Sequence, residues 1–452
     1  MRLTIIHPCI GRFAGDRSYI RTWQMEPLPA ATLAGLTPAG VTIRFYDDRM
    51  EEIPYDEPTD LVAISIETYT ARRAYQIASE YRRRKIPVVM GGFHASLMPD
   101  EVARHAESVV IGEAEVLWPR VIDDARHGTL QKFYRTEGRP ALSGIRPDRA
   151  IFQGKRYLKV GLIESGRGCH FKCDFCAVQT VFKQTQNRRP IDDILDEVRR
   201  VKEYAKLIFF VDDNITSNMA QAKEFYRALI PLKVRWVSQS SINAAHDEEF
   251  LTLLKQSGCQ GVLIGFESME AANLKAMDKG FNLMRGGFER AMENLHRHAI
   301  RVYGTFVFGY DHDTPDSFDS AVRFAKEQGM YIAAFNHLTP FPGTPLYARL
   351  QAENRLLYES WWLDDEYRYN RIPFVPRCMS AEDLQRHCLD ARRRFYSWGS
   401  ILRRSMHRVN RENGFMWRNF FLINALHRAD VSGRDGYPLG DLGHAKDLVE
   451  AC

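Results

Sequence analysis

The sequence predicts an α/β protein in which two series of alternating strands and helices follow one another. Short apolar runs in the first 125 residues, such as RLTIIH, LVAISI and PVVMGG, alternate with helical patterns and predict a mostly parallel, doubly wound sheet. A second series begins at Leu158, with candidate strands LKVGLI, KLIFFV, VRWVSQ, GVLIGF, VYGTFVFG and YIAAFNH. Six βα repeats of this kind predict a barrel or a partial barrel.

Changes in composition divide the chain into four stretches. Residues 1–125 contain the doubly wound series, residues 126–157 are polar with glycine and proline as in a linker, and residues 158–347 contain the barrel series. Residues 348–452 are predicted to be mainly helical and are rich in arginine and aromatic side chains. We expect this last stretch to cover the barrel mouth.

The overall composition is that of an ordinary globular protein, with 452 residues, 45% of them hydrophobic and 26% charged. The net charge of +5 is small and scattered, which argues against nucleic-acid binding. No apolar run approaches the ~20 residues that a membrane span needs, and the apolar start MRLTIIHPCIG is too short for a secretory signal. The sequence therefore predicts a cytoplasmic protein without a membrane span.

Three of the eight cysteines, Cys169, Cys173 and Cys176, crowd into a short segment after the first barrel strand. Three thiolates at this spacing can hold three irons of a 4Fe-4S cluster and leave the fourth iron open. A zinc site with His170 as fourth ligand is an alternative, although the spacing fits poorly. An ordinary ferredoxin cluster would need a fourth cysteine nearby, and none is visible. The segment predicts a metal site.

Polar or special residues also follow the next four strands of the barrel series. Active sites of βα-barrels lie on the loops after the strands, so these groups should converge on one barrel mouth with the cysteines. In chain order the groups are Asp212-Asp213-Asn214, Gln239-Ser240-Ser241, Glu267-Ser268 and Gly309-Tyr310-Asp311.

The segment GCHFKCDFC around the cysteines resembles the signature loop of the radical S-adenosylmethionine (SAM) superfamily, including the aromatic Phe175. The resemblance implies a (β/α)6 partial TIM barrel and a 4Fe-4S cluster whose open iron binds SAM. It also implies an electron donor such as flavodoxin or ferredoxin, and cleavage of SAM to methionine and a 5′-deoxyadenosyl radical. The SAM-binding positions that it implies are Phe175, Asp212, Asp213, Asn214, Ser240, Glu267 and Gly309.

The later segment HLTPFPGTPLY resembles the end of the sixth strand in a radical SAM subgroup that carries cobalamin-binding domains. Ser65, the glycine pair Gly91-Gly92 and the GEAE segment are similar in order and spacing to elements that line cobalamin in such Rossmann-like domains. The histidine of the DxHxxG motif, which ligates cobalt from below, has no counterpart here, where His7-Pro8-Cys9 follows the first strand. The implied cobalamin-binding positions are Ser65, Glu67, Thr68, Gly91, Gly92, Phe93, Gly112 and Glu113.

The pairing of the two implied domains favours a C-methyltransferase acting on an unactivated carbon of a small-molecule substrate, either a secondary metabolite or a lipid. In this hypothesis the substrate radical takes a methyl group from cobalamin, which a second SAM remethylates. The alternatives are a cyclase or rearrangement enzyme similar to the anaerobic porphyrin-ring cyclases, a cobalamin or redox sensor, and zinc-dependent nucleic-acid binding. The combination of Asp212, Glu267 and Gly309 favours SAM binding over sensing.

Overall fold

The computed structural model describes residues 1–16, 24–283, 286–433, 435–444 and 446–450. The strands are β1 (Arg2–His7), β2 (Gly11–Arg12), β3 (Thr42–Asp47), β4 (Leu61–Ser65), β5 (Val88–Gly91), β6 (Ser108–Ile111), β7 (Phe133–Arg135), β8 (Val160–Ile163), β9 (Gly166–Gly168), β10 (Gln186–Arg188), β11 (Leu207–Phe210), β12 (Trp236–Ser240), β13 (Cys259–Glu267), β14 (Arg301–Phe308), β15 (Ile332–His337) and β16 (Gly440–Asp441).

The helices connect these strands and extend the C-terminal part of the chain. They are α1 (Leu28–Leu36), α2 (Ala71–Arg83), α3 (Phe93–Leu97), α4 (Pro99–His105), α5 (Trp118–His127), α6 (Ala177–Phe182), α7 (Ile191–Val201), α8 (Met219–Leu229), α9 (Glu248–Gln256), α10 (Ala271–Ala276), α11 (Gly287–Arg297), α12 (Pro315–Glu327), α13 (Pro345–Ala352), α14 (Ala381–Phe395), α15 (Trp398–Ser405), α16 (Arg408–Arg411) and α17 (Gly414–Ala429).

The N-terminal part of the chain forms a parallel sheet of order β3-β1-β4-β5-β6-β7 with helices on both faces. One face buries side chains such as Ala63 and Val89 against α1 and α5, and the other packs residues such as Ile64 against α2 and α4. Apolar residues on both faces of each central strand explain the continuous apolar runs in the sequence. The predicted doubly wound sheet is confirmed.

The second sheet is parallel as well, with the sequential order β8-β11-β12-β13-β14-β15, and forms the predicted six-stranded βα series. Phe266 packs on Phe288 and Phe324 of the outer helices, which shows which face of β13 meets the helical layer. The alternate residues on the other face of β12 and β14 are only half-buried. The lumen side of the sheet is therefore incompletely filled, which leaves room for ligands.

The sheet of the N-terminal part continues into a segment that the sequence analysis assigned to a linker. Strand β7 pairs with β6 through Val109–Phe133, Val110–Tyr134 and Ile111–Arg135. Three residues of mixed polarity are too short to show a strand period, so the pattern did not reveal it. The domain boundaries at residues 125, 157 and 347 stay predictions.

Helices α14 to α17 lie along the edge strand and at the starts of the barrel strands. On the open edge of β15, the Tyr396 hydroxyl donates to Ala333 O at 2.8 Å, and the Arg392 guanidinium donates to Phe335 O at 3.0 Å. These side chains occupy backbone groups that a seventh strand would otherwise pair with. The expectation that the C-terminal helices cover the barrel mouth is wrong for α15 to α17, because helical periodicity shows that a face is buried but not against what.

The segment between α13 and α14 packs against the N-terminal part of the chain. Trp361 and Trp362 are buried, and the Trp362 indole donates to the Glu101 carboxylate at 3.1 Å. Glu101 also accepts from Tyr75 at 2.8 Å and lies 3.1 Å from His94 Nε2. The two tryptophans are thus core residues. None of the helices in the described part of the chain combines the length and the apolar character that crossing a bilayer requires.

Candidate active site

The cysteine segment leaves the barrel after β8 and β9 and ends at the start of α6. Gly168 has a positive φ of 91°, and a Cβ there would lie 2.1 Å from Thr185 O, so the position before Cys169 needs glycine. The Cys176 sulfur accepts from the backbone amides at the N-terminus of α6. Burial raises the pKa of the Cys173 thiol to about 12, so metal binding there must release a proton.

Residues from distant parts of the barrel hold this loop. The Asp213 carboxylate accepts from Gly168 N at 2.7 Å, and burial raises the pKa of Asp213 to about 6. Asp174, inside the motif, accepts from the Tyr310 hydroxyl, and its carbonyl accepts from Leu346 N at 3.0 Å. The loop is therefore fixed from the ends of β11 and β14 and from the start of α13.

The surroundings of the cysteines fit an iron-sulfur cluster better than a single zinc ion. His170 Nδ1 lies 2.8 Å from Ser217 Oγ and 3.2 Å from Ser217 O, so this imidazole is engaged away from the thiols. Among the described residues, no three His, Cys, Asp or Glu side chains converge as ligands of one ion do. A cluster needs only one thiolate for each iron, which this open arrangement can provide.

The residues predicted after β11 and β12 support the site in different ways. Asp212 is buried and accepts from Ser165 N at 2.7 Å and from the Ser165 hydroxyl, so its carboxylate braces the loop after β8. Asn214 donates to Cys169 Sγ at 3.5 Å. Ser240 Oγ lies 3.1 Å from Thr216 Oγ1 in a buried hydroxyl cluster. Asn214 is thus the member of this group that reaches the cysteines.

Glu267, at the end of β13, forms a buried ion pair that the sequence analysis did not foresee. Lys279 donates to its carboxylate at 2.5 Å and to Gly265 O at 3.3 Å. Burial pushes the pKa of Lys279 down, but the Glu267 carboxylate and the nearby Cys173 outweigh it and leave that pKa raised. A Cβ on Gly265 would lie 2.1 Å from the Glu267 oxygen, so this glycine makes room for the pair.

The backbone of Glu267 is strained as well. Its φ of 62° is unusual for a residue with a side chain, and the pairing of β13 with β14 shifts register at this point. Strain of this kind persists where the surrounding structure holds a residue in place, commonly at functional sites. The bulge brings the Glu267 carboxylate to Lys279, and both charges lie close enough to Cys173 to influence the pKa of its thiol.

Gly309 and Phe175 are placed by packing. Gly309 has a φ of 112°, its amide donates to Asp313 at 2.8 Å, and a Cβ there would meet Phe374 at 2.8 Å. Burial raises the pKa of Asp313 to about 7. Phe175 is half-buried and packs against the barrel core. Gly309 therefore shapes the loop after β14 with its backbone.

Replacing Lys279 with methionine should strongly destabilise the site, because the buried Glu267 carboxylate would lose its cation. Breaking one side of a buried pair costs about 3 kcal/mol, so the apparent melting temperature should fall by several degrees. The double variant Lys279→Met, Glu267→Gln should recover most of this loss, which a double-mutant cycle measures. Lys275→Met, an exposed change on the same segment, is the matched control. Equal effects of both lysine variants would contradict the pair.

A cavity of about 310 Å³ joins the ends of the N-terminal strands to the ends of the first barrel strands. Its deep part lies between β4, β5 and β6 and is walled by the apolar residues Leu33, Ala63, Val89, Val110 and Trp118. The predicted cobalamin residues that line it are Ser65, Glu67, Gly91, Gly92, Phe93, Gly112 and Glu113.

One predicted cobalamin residue turns away from the cavity. The Thr68 hydroxyl is buried and lies 3.2 Å from His94 Nδ1. A Cβ on Gly92, whose φ is 103°, would lie 2.7 Å from Ile66 O, so this glycine allows the close approach of two chain segments. The apolar lining and the glycine backbone suit a flat cofactor ring, and the cavity extends to the barrel residues Arg167 and Asp213.

Charged side chains cross the boundary between the two parts of the chain at the rim of this cavity. Arg167, two residues before Cys169, pairs with Glu115 at 2.7 Å and lies 3.6 Å from Glu113. Burial lowers the pKa of Arg167, but Glu164 and Glu115 outweigh it and leave that pKa raised. The cysteine loop and the N-terminal strand ends are thus joined by ion pairs around one shared cavity. Neither His7 nor Cys9 is among the residues that line it.

Two family models match parts of the chain. The model of the radical SAM superfamily matches residues 163–325. A domain of unknown function, DUF4070, matches residues 344–414. The first match covers the cysteine loop and the strands that carry Asp213, Glu267 and Gly309.

The chain is also similar to named proteins along most of its length. It is 31% identical over 413 residues to bacteriochlorophyllide d C-12(1)-methyltransferase of Chlorobaculum tepidum, covering 89% of each chain. It is 30% identical over 395 residues to the C-8(2)-methyltransferase of the same organism, covering 83% of this chain and 86% of the relative. An anaerobic magnesium-protoporphyrin IX monomethyl ester cyclase of Cereibacter sphaeroides is 24% identical and matches 100% of this chain and 79% of its own.

Solved structures share the fold. The cobalamin-dependent radical enzyme OxsB, with aqua-cobalamin and SAM bound, has a TM-score of 0.67 at 14% identity over 95% of this chain and 71% of its own. The methyltransferase TsrM from Kitasatospora setae, with cobalamin and a [4Fe-4S] cluster bound, has a TM-score of 0.60 at 17% identity, covering 78% and 75%.

A doubly wound domain over a six-stranded βα-barrel with a three-cysteine loop defines an enzyme of the radical SAM class. The chain belongs to the radical SAM superfamily, in the subgroup that carries an N-terminal cobalamin-binding domain.

Proposed function

We propose that the protein is a cobalamin-dependent radical SAM C-methyltransferase that acts on an unactivated carbon of a large, mostly apolar ring compound. The observation that carries the proposal is the cavity that joins the N-terminal strand ends to the barrel mouth, lined from both sides by Gly91 and Gly92 and by Arg167 and Asp213. Similarity above 30% to a methyltransferase over most of the chain supports methyl transfer.

In this proposal Cys169, Cys173 and Cys176 hold the 4Fe-4S cluster, and Asn214, Glu267 and Lys279 bind or orient SAM. The seven cavity residues hold cobalamin, without an imidazole from His7. Together the three bound groups supply a hydrogen-abstracting radical and a transferable methyl group. The chain's own part is to orient the ligands and to exclude water from the space between the domains.

The nature of the substrate is inferred from the site and the relatives together. On the lumen face of β14 the side chains of Tyr303, Thr305 and Val307 are half-buried, and burial raises the pKa of Tyr303. The named relatives act on bacteriochlorophyllide or magnesium-protoporphyrin ester. We therefore favour a tetrapyrrole or another polycyclic molecule. We place the enzyme in the cytoplasm, with flavodoxin or ferredoxin as electron donor.

The test is an anaerobic incubation of the reconstituted enzyme with reduced flavodoxin as electron donor, methyl-deuterated SAM, cobalamin and bacteriochlorophyllide d. We expect 5′-deoxyadenosine and a product in which one CD₃ group replaces a hydrogen, both detected by mass spectrometry. Omitting cobalamin is the control and should stop the label transfer. A product that has a new ring and no label would instead indicate cyclisation, the activity of the cyclase relatives.

A further inference from the structure

The C-terminal helices carry large apolar side chains on their outer surface. On and just after α15, Trp398, Leu402 and Met406 are 53%, 57% and 60% exposed. Their spacing of four residues places them on one side of the helix. On α17, Leu422 is 59% exposed and Trp417 is 38% exposed. Exposed apolar residues scattered singly are ordinary, but an apolar stripe of this kind marks an interaction surface.

The two helices pack against each other and form one surface. Buried Arg404 on α15 donates to Asn424 Oδ1 on α17 at 2.9 Å. Arg428 lies over the Trp398 ring, 5.6 Å from its centroid, and donates to Tyr396 O at 3.2 Å. We call the outer side of α15 and α17 the C-terminal face.

The C-terminal face is strongly basic, in contrast to the chain as a whole. Residues 398–428, which run from α15 into α17, contain six arginines and a single acidic residue, Glu412. Glu412 lies 3.4 Å from Lys255 and so does not offset the arginines. Five of the six are exposed: Arg403, Arg408, Arg411, Arg418 and Arg428. The surface thus combines tryptophan and aliphatic side chains with a dense positive charge.

The position of the C-terminal face separates it from the active site. Arg404 donates to Met330 O at 2.9 Å and Asn410 donates to Gly329 O at 2.9 Å, just before β15 begins. The cysteines and the cavity lie at the opposite ends of the strands. Six residues of β15 span about 20 Å, so an electron carrier seated here would be far from the cluster loop. A second copy would place arginines against arginines.

The combination of tryptophan, aliphatic and arginine side chains on the C-terminal face is suited to binding the surface of an anionic bilayer. Tryptophan and aliphatic side chains enter the interfacial region, and arginines pair with lipid phosphates above them. We propose that the C-terminal face docks the protein on the surface of membranes that contain anionic lipid. Trp398, Leu402 and Met406 enter the headgroup layer, while Arg403 and Arg408 contact phosphates. This inference does not depend on the proposed reaction.

Vesicle co-sedimentation tests the proposal with the full chain. The protein is mixed with vesicles of phosphatidylcholine alone or of phosphatidylcholine with phosphatidylglycerol. Two variants remove one component each: Trp398→Ser with Leu402→Ser, and Arg403→Glu with Arg408→Glu. Leu357→Ser, at a residue that is 48% exposed and precedes α14, is the matched control. Circular dichroism and iron content verify that each variant is folded.

We expect binding only to the phosphatidylglycerol vesicles, weakened by added salt. Each double variant should lower the partition coefficient at least about tenfold, and Leu357→Ser should leave it unchanged. Absence of binding, or equal binding by the double variants, overturns the proposal. A dimer that either double variant dissociates, measured by light scattering without vesicles, would reassign the face to self-association. Slower cluster reduction by flavodoxin in Arg403→Glu with Arg408→Glu, without vesicle binding, would reassign it to an acidic electron carrier.

Discussion

Cys173→Ala is expected to abolish cluster assembly and all cleavage of SAM. Cys173 is the most deeply buried of the three cysteines in the motif, and no fourth cysteine lies in the loop to replace its thiolate. Loss of one of three ligands leaves two irons of the cubane without protein thiolates. After anaerobic reconstitution, iron and sulfide content should fall to background, and the thiolate-to-iron absorption should disappear.

The matched control for Cys173→Ala is Cys378→Ala. Cys378 is exposed and contacts Asp311 O at 3.3 Å, outside the loop, so its loss should leave iron content and SAM cleavage at the wild-type level. Stability should be compared with that of the iron-free wild type, because a bound metal group itself stabilises the folded state. Full iron content in Cys173→Ala protein would mean that other side chains hold the metal.

The parts of the site that could be predicted from the sequence lie within a few residues of the end of a strand. The glycine pair Gly91-Gly92 lies at the end of its apolar run, and Cys169 comes six residues after Ile163, so their place at the strand ends follows from the chain order. The same holds for Glu113, which comes two residues after the end of β6, so its place at the cavity also follows from the chain order. Local patterns therefore located both halves of the cavity.

The parts that could not be predicted depend on contacts between distant segments. Lys279 lies in the connection between α10 and α11 and meets Glu267 only because β13 bulges at its end. Asp212 follows its strand as predicted, but Ser165, 47 residues earlier in the chain, occupies its carboxylate. The Thr68 hydroxyl likewise contacts a residue that is distant in the chain, His94, instead of lining the cavity. Lys279 follows the exposed residue Asp278 and belongs to no repeating apolar pattern. Its role as the partner of Glu267 is therefore visible only in the folded structure.

Gly91→Leu is expected to remove cobalamin binding while leaving the cluster intact. Gly91 lines the cavity, and a Cβ there would make ordinary contacts of 3.5 Å with Val110. A leucine at this position therefore fills the apolar channel without straining the backbone. Gly92 would be a poor choice for this test, because its φ of 103° and the 2.7 Å approach to Ile66 O make any side chain disrupt the strand ends.

The measurement is the cobalamin retained after anaerobic loading and gel filtration, read from its absorption spectrum beside the iron content. Gly91→Leu should bind cobalamin at least about tenfold more weakly, a change of about 1.4 kcal/mol or more, and should still cleave SAM without transferring a methyl group. Gly91→Ala adds one carbon and should retain most of the binding. Wild-type binding by Gly91→Leu would exclude this cavity as the cobalamin site, and a simultaneous loss of iron would show that the substitution also disturbs the cysteine loop.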